Sequence, residues 1–110
     1  MPSFSQHNVI LVRYPFSDLS SSKVRPAVVV NAPHISHDLL IVPLTSRLTG
    51  LLPGEFAVTE WHIAGLNVPS AIKRGLYTVE SSIVLKFLGQ LAVVDANRLE
   101  TSLRAWLALP

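Results

Sequence analysis

Residues 23–31 read KVRPAVVVN and bring two cations directly against a proline and an apolar run. A short apolar run enclosed by turn-forming residues is typical of a buried β-strand, which predicts strand two over residues 25–31. Pro26 has no N–H for a sheet ladder, which predicts a place at the first position of the strand or on a sheet edge. A proline also favours extended backbone at the residue before it, so Arg25 is fixed where a polar loop meets a rigid strand. A cation held there can bind a ligand, although a lone arginine is more often an ordinary solvated charge.

The next apolar run, residues 38–44, predicts strand three, with Thr45 directly after it. A short turn joins strands two and three, so they should pair antiparallel. The start of strand two then lies beside the end of strand three, which predicts that Arg25 and Thr45 are neighbours. Pro43 predicts that this end of strand three lies on an edge or at a bulge.

The rest of the chain predicts further short strands and one helix. The predicted strands are residues 8–14, 55–59, 69–73, 77–80 and 83–88. Residues 92–108 form the predicted helix, because Leu99, Leu103, Trp106 and Leu107 fall on one face. Asp95 is an alternative start for this helix, as an N-cap. The pattern predicts a mainly β single domain over residues 1–110: a small, strongly bent β-barrel with the amphipathic helix against one side.

Composition excludes several classes of protein. The 110 residues carry a net charge of +2 and no cysteine, so disulfides and thiolate metal sites are ruled out. A reducing compartment such as the cytosol fits this composition. We expect no signal peptide and no membrane span, since no apolar run approaches about 18 residues. The four histidines are scattered; His34 and His37 share a turn, but with no third ligand nearby we interpret them as surface residues and expect no metal or other cofactor.

Several segments in sequence order resemble one known family. Residues 9–18 and 22–30 resemble the N-terminal signature of the MazF/PemK toxins. Similar correspondences follow at residues 41–46, 65–70, 88–91 and 103–107. The resemblance implies an SH3-like bent β-barrel of the MazF/CcdB type and a homodimer. It also implies a metal-independent endoribonuclease that cuts single-stranded RNA, the toxin of a type II toxin–antitoxin system whose cognate antitoxin covers the RNA groove with an acidic tail.

The resemblance also assigns roles to residues. Arg25 and Thr45 match the family's catalytic arginine and hydroxyl residue. Apart from the resemblance, we expect further residues to bind RNA because of their charge or polarity: Lys23, Ser46, Arg47, Lys73 and Arg74. Each of these cations has an alternative interpretation as an ordinary solvated charge.

The sequence departs from the family at three places. His7-Asn8 stands where Gly-Asp is common, Arg13 replaces a frequent acidic residue, and residues 20–22 are serines where some members have a glutamate. The group that takes a proton is therefore open, with His7, His62 and Tyr77 as candidates. An alternative function is a non-catalytic member on the same barrel, which binds RNA only or a protein target as the CcdB proteins do. A small interaction domain without a nucleic-acid role is a third alternative.

Overall fold

The computed structural model describes residues 4–14 and 23–110, except for the side chains of Tyr14 and Lys23. The predicted polar loop, residues 15–22, lies outside this range. The strands are β1 (Asn8–Tyr14), β2 (Lys23–Val29), β3 (Asp38–Thr45), β4 (Phe56–Ala57), β5 (Ala71–Ile72), β6 (Tyr77–Glu80) and β7 (Val84–Gln90). One 3₁₀ turn, Ser81–Ile83, precedes β7, and helix α1 (Val93–Trp106) ends the fold. The predicted mainly β class with a C-terminal helix is confirmed.

Strand β3 organises the sheet because it pairs with three different strands. The sheet order is β4-β5-β3-β2-β1-β7, and β6 also pairs with β3. Along β3, Asp38 to Ile41 face β6, Ile41 to Pro43 face β2, and Leu44 and Thr45 face β5. All of these pairings are antiparallel, as predicted for strands two and three. Strand β2 thus lies along one edge of β3, while β6 and β5 follow one another along the other edge.

The apolar residues of the central strands are buried on both faces of the sheet. Val9 and Val28 belong to one core cluster, while Ile10 and Ala27 belong to another. Neighbouring residues of a strand point to opposite faces, so a continuous apolar run supplies both clusters. The unbroken runs in the sequence therefore reflect a sheet covered on two sides.

Pro26 does not have the predicted position in its strand. Strand β2 begins at Lys23, so Pro26 is its fourth residue and pairs with Leu11 of β1. The pairing of β2 with β3 covers only Ala27 to Val29. Pro26 thus lies in the part of β2 that has a ladder partner on one side, where a missing N–H costs least. The prediction that Pro26 is the first residue of its strand is wrong. The prediction that it lies on a sheet edge holds only for this part of β2, which is paired on one side.

Helix α1 begins at Val93, and Asp95 is not its N-cap. Ala92 holds the cap position without a side-chain hydrogen bond. Asp95 is fully buried and accepts hydrogen bonds from the backbone N–H groups of Thr59 (2.8 Å) and Glu60 (2.9 Å). This carboxylate therefore attaches the helix to the segment after β4.

The predicted apolar face of the helix is only partly used. Leu99 is buried and Leu103 packs against the core, whereas Trp106 and Leu107 are 48% and 49% exposed. The last helical turn therefore extends past the core. Within the described residues, no helix has both the length and the hydropathy to cross a bilayer.

Replacing Asp95 by alanine should destabilise the fold by about 2–4 kcal/mol, because hydrogen bonds to a charged acceptor are lost and two N–H groups lose their partner. Urea unfolding followed by circular dichroism measures this change. Glu100→Ala, on the exposed face of the same helix, is the control and should change stability by about 0.5 kcal/mol or less. Equal effects of the two substitutions would contradict the role of Asp95 as an attachment.

Candidate active site

A cavity of about 420 Å³ opens where the start of β2, the end of β3 and strand β7 meet residues 65–70. Arg25 and Thr45, the two predicted catalytic residues, both line it. Ser46, predicted to bind RNA, lines it as well. The antiparallel pairing predicted from the sequence therefore brings the two chain segments to one cavity.

Arg25 is positioned by its pairing with β1. It pairs with Val12, whose side chain is fully buried. On the β3 side the last pair joins Ala27 to Pro43, so Arg25 and Thr45 each lie two residues beyond the end of that pairing. Arg25 is itself exposed. A fixed backbone with an exposed side chain suits a cation that binds a ligand from solvent.

The cavity is lined by both the backbone and the side chains of β2. The consecutive residues Val24, Arg25 and Pro26 all line it. Successive side chains of a strand point to opposite faces, so three consecutive lining residues mean that the strand borders the cavity edge-on. This part of β2 precedes Ala27, where the pairing with β3 ends.

The Thr45 hydroxyl is held by a local hydrogen bond. Its Oγ1 accepts from the backbone N–H of Arg47 at 3.1 Å, and Thr45 itself pairs with Ala71 of β5. A hydroxyl has one donor and two acceptor positions. The bond to Arg47 therefore leaves the hydroxyl hydrogen available for a ligand in the cavity.

Three polar residues line the cavity that sequence reasoning did not assign: Asn67, Ser70 and Lys86. Ser70 is buried, and its hydroxyl donates to the carbonyl of Val68 at 3.0 Å, which shapes the segment. Asn67 and Ser70 belong to the family-like motif at residues 65–70, and this motif is the sequence feature that could have assigned them to the site. For Lys86 the signal was a lone cation inside the apolar run IVLKFL, residues 83–88.

Three of the other predicted RNA-binding cations, Arg47, Lys73 and Arg74, do not line this cavity. Arg47 is exposed just beyond Thr45, and Lys73 is exposed just after β5, with its N–H bonded to the Pro43 carbonyl at 2.9 Å. Lys23 begins β2, and its side chain is outside the described part of the structure.

Arg74 lies in a different groove, between residues 53–56 and helix α1. Its guanidinium is 5.9 Å from the ring centroid of Trp106. Its backbone N–H donates to the carboxylate of Glu55 at 2.9 Å, and the N–H of Leu52 donates to the other oxygen. These bonds, led by that of Arg74, lower the pKa of the Glu55 carboxyl.

The three candidate proton acceptors also lie elsewhere. His7 borders a separate cavity beside Leu103 of helix α1. The His62 ring stacks on Trp61 with centroids 3.6 Å apart, and Tyr77 pairs with Ile41 at the start of β6. Histidines and carboxylates are absent from the described residues that line the Arg25 cavity. Nor do residues 4–14 and 23–110 contain a group of three or more His, Cys, Asp or Glu placed to hold a metal ion.

Two glycines let the wall of the cavity pack against β7. Gly65 has a φ of +81°, and a Cβ there would collide with the backbone carbonyl of Leu88. A Cβ at Gly89 would come within 2.7 Å of the carbonyl carbon of Ala64. The backbones of the two segments are thus in direct contact, and Gly65 and Leu88 both line the cavity.

Comparison with known proteins defines the class to which this fold and site belong. Residues 5–107 match the family model described as PemK-like, MazF-like toxin of type II toxin-antitoxin system. The chain therefore belongs to this family. No curated protein matches the sequence.

Solved structures share the fold at low sequence identity. An endoribonuclease from Mycobacterial species in complex with its cognate antitoxin is 19% identical, with a TM-score of 0.74 over 100% of this chain and 98% of that chain. The MazE-MazF structure (Form-II) from Deinococcus radiodurans is 16% identical, with a TM-score of 0.80 over 100% of both chains. Mycobacterium tuberculosis toxin MazF-mt6 is 19% identical, with a TM-score of 0.73 over 94% of this chain and 98% of that chain.

Because of the backbone contact at Gly65, a single added methyl group should lower the stability of the protein strongly. Gly65→Ala should destabilise the protein by about 3 kcal/mol or more, since it adds a collision with Leu88 to the cost of a left-handed conformation. Gly50→Ala is the matched control: its φ is +69°, yet a Cβ there meets nothing within 4 Å. It should cost about 1 kcal/mol. Chemical denaturation of both variants tests the contact, and similar costs at the two positions would argue against it.

Proposed function

We propose that this chain is the toxin of a type II toxin–antitoxin system and cleaves single-stranded RNA, messenger RNA in particular, without a metal ion. Family membership supports the toxin assignment. The observation that carries the chemistry is the shared cavity of Arg25 and Thr45. Relatives with the same fold are named endoribonucleases, which supports the same reaction here. The proposal takes residues 1–110 as one catalytic domain.

Metal-free RNA cleavage uses a nucleophile that the substrate supplies. The 2′-hydroxyl attacks the adjacent phosphorus, and the bond to the 5′-oxygen breaks. The products are a 2′,3′-cyclic phosphate and a 5′-hydroxyl. The protein must stabilise the additional negative charge that develops on the phosphoryl oxygens in the transition state.

Arg25 and Thr45 have suitable chemistry for this task. A guanidinium is permanently charged and presents a planar set of donors that fits two phosphate oxygens at once. The free hydrogen of the Thr45 hydroxyl donates to a phosphoryl oxygen or orients the 2′-hydroxyl. An arginine keeps its proton, so Arg25 acts as an electrostatic group and not as a base.

The surrounding polar residues are proposed to bind the RNA strand. Ser46 does so inside the cavity, and Lys23, Arg47 and Lys73 contact phosphates outside it. Arg74 contacts the strand only if the RNA extends toward the groove beside Trp106. Contacts of this kind make binding weaken as salt rises.

The proposal includes protein partners and a location. A cognate antitoxin with an acidic tail neutralises the basic RNA groove, in line with relatives crystallised with an antitoxin. We propose a homodimer as the active form. The site of action is the cytoplasm, where messenger RNA is translated.

One observation favours a second candidate function. The described residues that line the cavity include no histidine or carboxylate to accept a proton. A chain that binds RNA or a protein target at this cavity without cutting it, in the manner of the CcdB proteins, needs no such group. Growth arrest on expression, with cellular RNA intact, would identify this alternative.

Purified protein should cleave single-stranded RNA in the presence of EDTA. Arg25→Ala should lower the single-turnover rate by about 10²–10³, because a preorganised electrostatic contact to the transition state is lost. Arg25→Lys should recover only part of this rate, since an ammonium does not form the bidentate contact. Arg104→Gln, a surface cation on α1 that pairs with Glu100, removes the same charge and should leave the rate unchanged. Intact RNA, or equal rates for the protein and Arg25→Ala, would contradict the proposal.

A further inference from the structure

The cavity contains a second ionisable side chain besides Arg25. Among the described residues that line it, Arg25 and Lys86 are the ionisable ones. A lysine, unlike an arginine, transfers its proton readily enough to act as an acid or base. RNA cleavage needs a proton donor as well as the proton acceptor that the sequence left open, and among the described residues that line the cavity Lys86 is the candidate for the donor.

The sheet places Lys86 across one strand from β2. Leu11 of β1 pairs with Pro26 of β2 on one side and with Lys86 of β7 on the other. Adjacent strands are about 5 Å apart, so Lys86 is about 10 Å from Pro26 along this row. Arg25 directly precedes Pro26, so the two residues lie on opposite faces of β2. Because the cavity borders this strand edge-on, Arg25 and Lys86 nevertheless both line it.

The backbone of Lys86 is fixed, whereas its side chain is free to engage a ligand. Residues on either side hold β7: Val84 and Leu88 pack against the two core clusters, and Gly89 contacts the backbone of Ala64. The Lys86 side chain is exposed, and no hydrogen bond or ion pair joins it to another described residue. An exposed ammonium on a fixed strand is well placed to bind an anion.

We propose that Lys86 is a catalytic residue, the proton donor to the 5′-oxygen that leaves when RNA is cut. The inference depends on the proposed ribonuclease function and assigns separate roles in it to Arg25 and Lys86. Arg25 stabilises the charge on the phosphoryl oxygens, while the Lys86 ammonium donates to the departing oxygen.

The protons and bonds of this step balance as follows. The 2′-oxygen forms a bond to phosphorus as its proton passes to solvent water or hydroxide. The bond from phosphorus to the 5′-oxygen breaks, and its electron pair takes the proton from the Lys86 ammonium. The resulting amine recovers a proton from water, so the enzyme returns to its starting state.

The test compares two substrates after the cleavage site has been mapped on a long RNA. One is an oligonucleotide with an ordinary phosphodiester at that site, and the other has sulfur in place of the leaving 5′-oxygen. A thiolate leaves without being protonated, because thiols are much stronger acids than alcohols. The variants are Lys86→Arg, which keeps the charge but not the transferable proton, and Lys86→Gln, which loses both.

With the ordinary substrate, Lys86→Arg and Lys86→Gln should each lower the single-turnover rate by about 10²–10⁴, the usual effect of losing a general acid. With the sulfur substrate, Lys86→Arg should cut within a few-fold of the unmodified protein. Arg104→Gln controls for the change in net charge, and circular dichroism checks that each variant folds.

Three results would overturn the inference. Lys86→Gln at the full rate on the ordinary substrate would exclude any catalytic role. Lys86→Arg at the full rate there would show that charge alone suffices. An equal loss on both substrates would show that Lys86 acts on something other than the leaving group. Failure of the proposed function is distinguishable, because the unmodified protein would then cut neither substrate.

Discussion

The antiparallel pairing of β2 with β3 is the interaction on which the candidate site depends. Arg25 and Thr45 are 20 positions apart in the chain and belong to different strands. The register that joins Ala27 to Pro43 brings both to one cavity. A slip of one residue would reverse the face of every side chain in a strand, and it would shift Arg25 relative to Thr45. The core and the site are thus determined by the same strand pairing.

The early end of the pairing between β2 and β3 gives the site its open side. On one edge of β3 the pairing with β2 stops at Pro43, whereas on the other edge β5 pairs with Leu44 and Thr45. The start of β2 thus has no ladder partner on its β3 side, and the cavity borders the strand there. Pro26 lies in this one-sided region, where its missing N–H is tolerated. The turn around Gly65, packed directly against β7, closes the opposite wall.

The charge of the cavity fits an anionic ligand. Arg25 and Lys86 line it, and none of the described residues that line it is a carboxylate. Two cations without a lining carboxylate suit a polyanion. A phosphodiester is the ligand that this arrangement suits best.

The sequence was most informative where local pattern and tertiary structure agree. Strand β1 covers the predicted residues 8–14, because an unbroken apolar run can only be buried on both faces. Helix α1 starts near its predicted position, but Asp95 caps a distant backbone segment and not the helix, which no local pattern reveals. Lys86 was missed because its place depends on the pairing of β1 with β7, which has irregularities after Val9 and Leu11. Of the predicted RNA-binding residues, Ser46 lines the cavity, whereas Arg74 lies in another groove, since charge does not specify which face a residue occupies.

We propose that the chain cuts RNA with the substrate's own 2′-hydroxyl and that Arg25 and Thr45 assist this reaction. The most direct measurement uses an RNA oligonucleotide with a single 2′-deoxynucleotide on the 5′ side of the mapped cleavage site, incubated with the protein in EDTA. We expect this substrate to remain intact while the all-ribose oligonucleotide is cut to a 2′,3′-cyclic phosphate and a 5′-hydroxyl, identified by mass spectrometry. Cleavage of the deoxy-substituted oligonucleotide at the same bond would contradict the account.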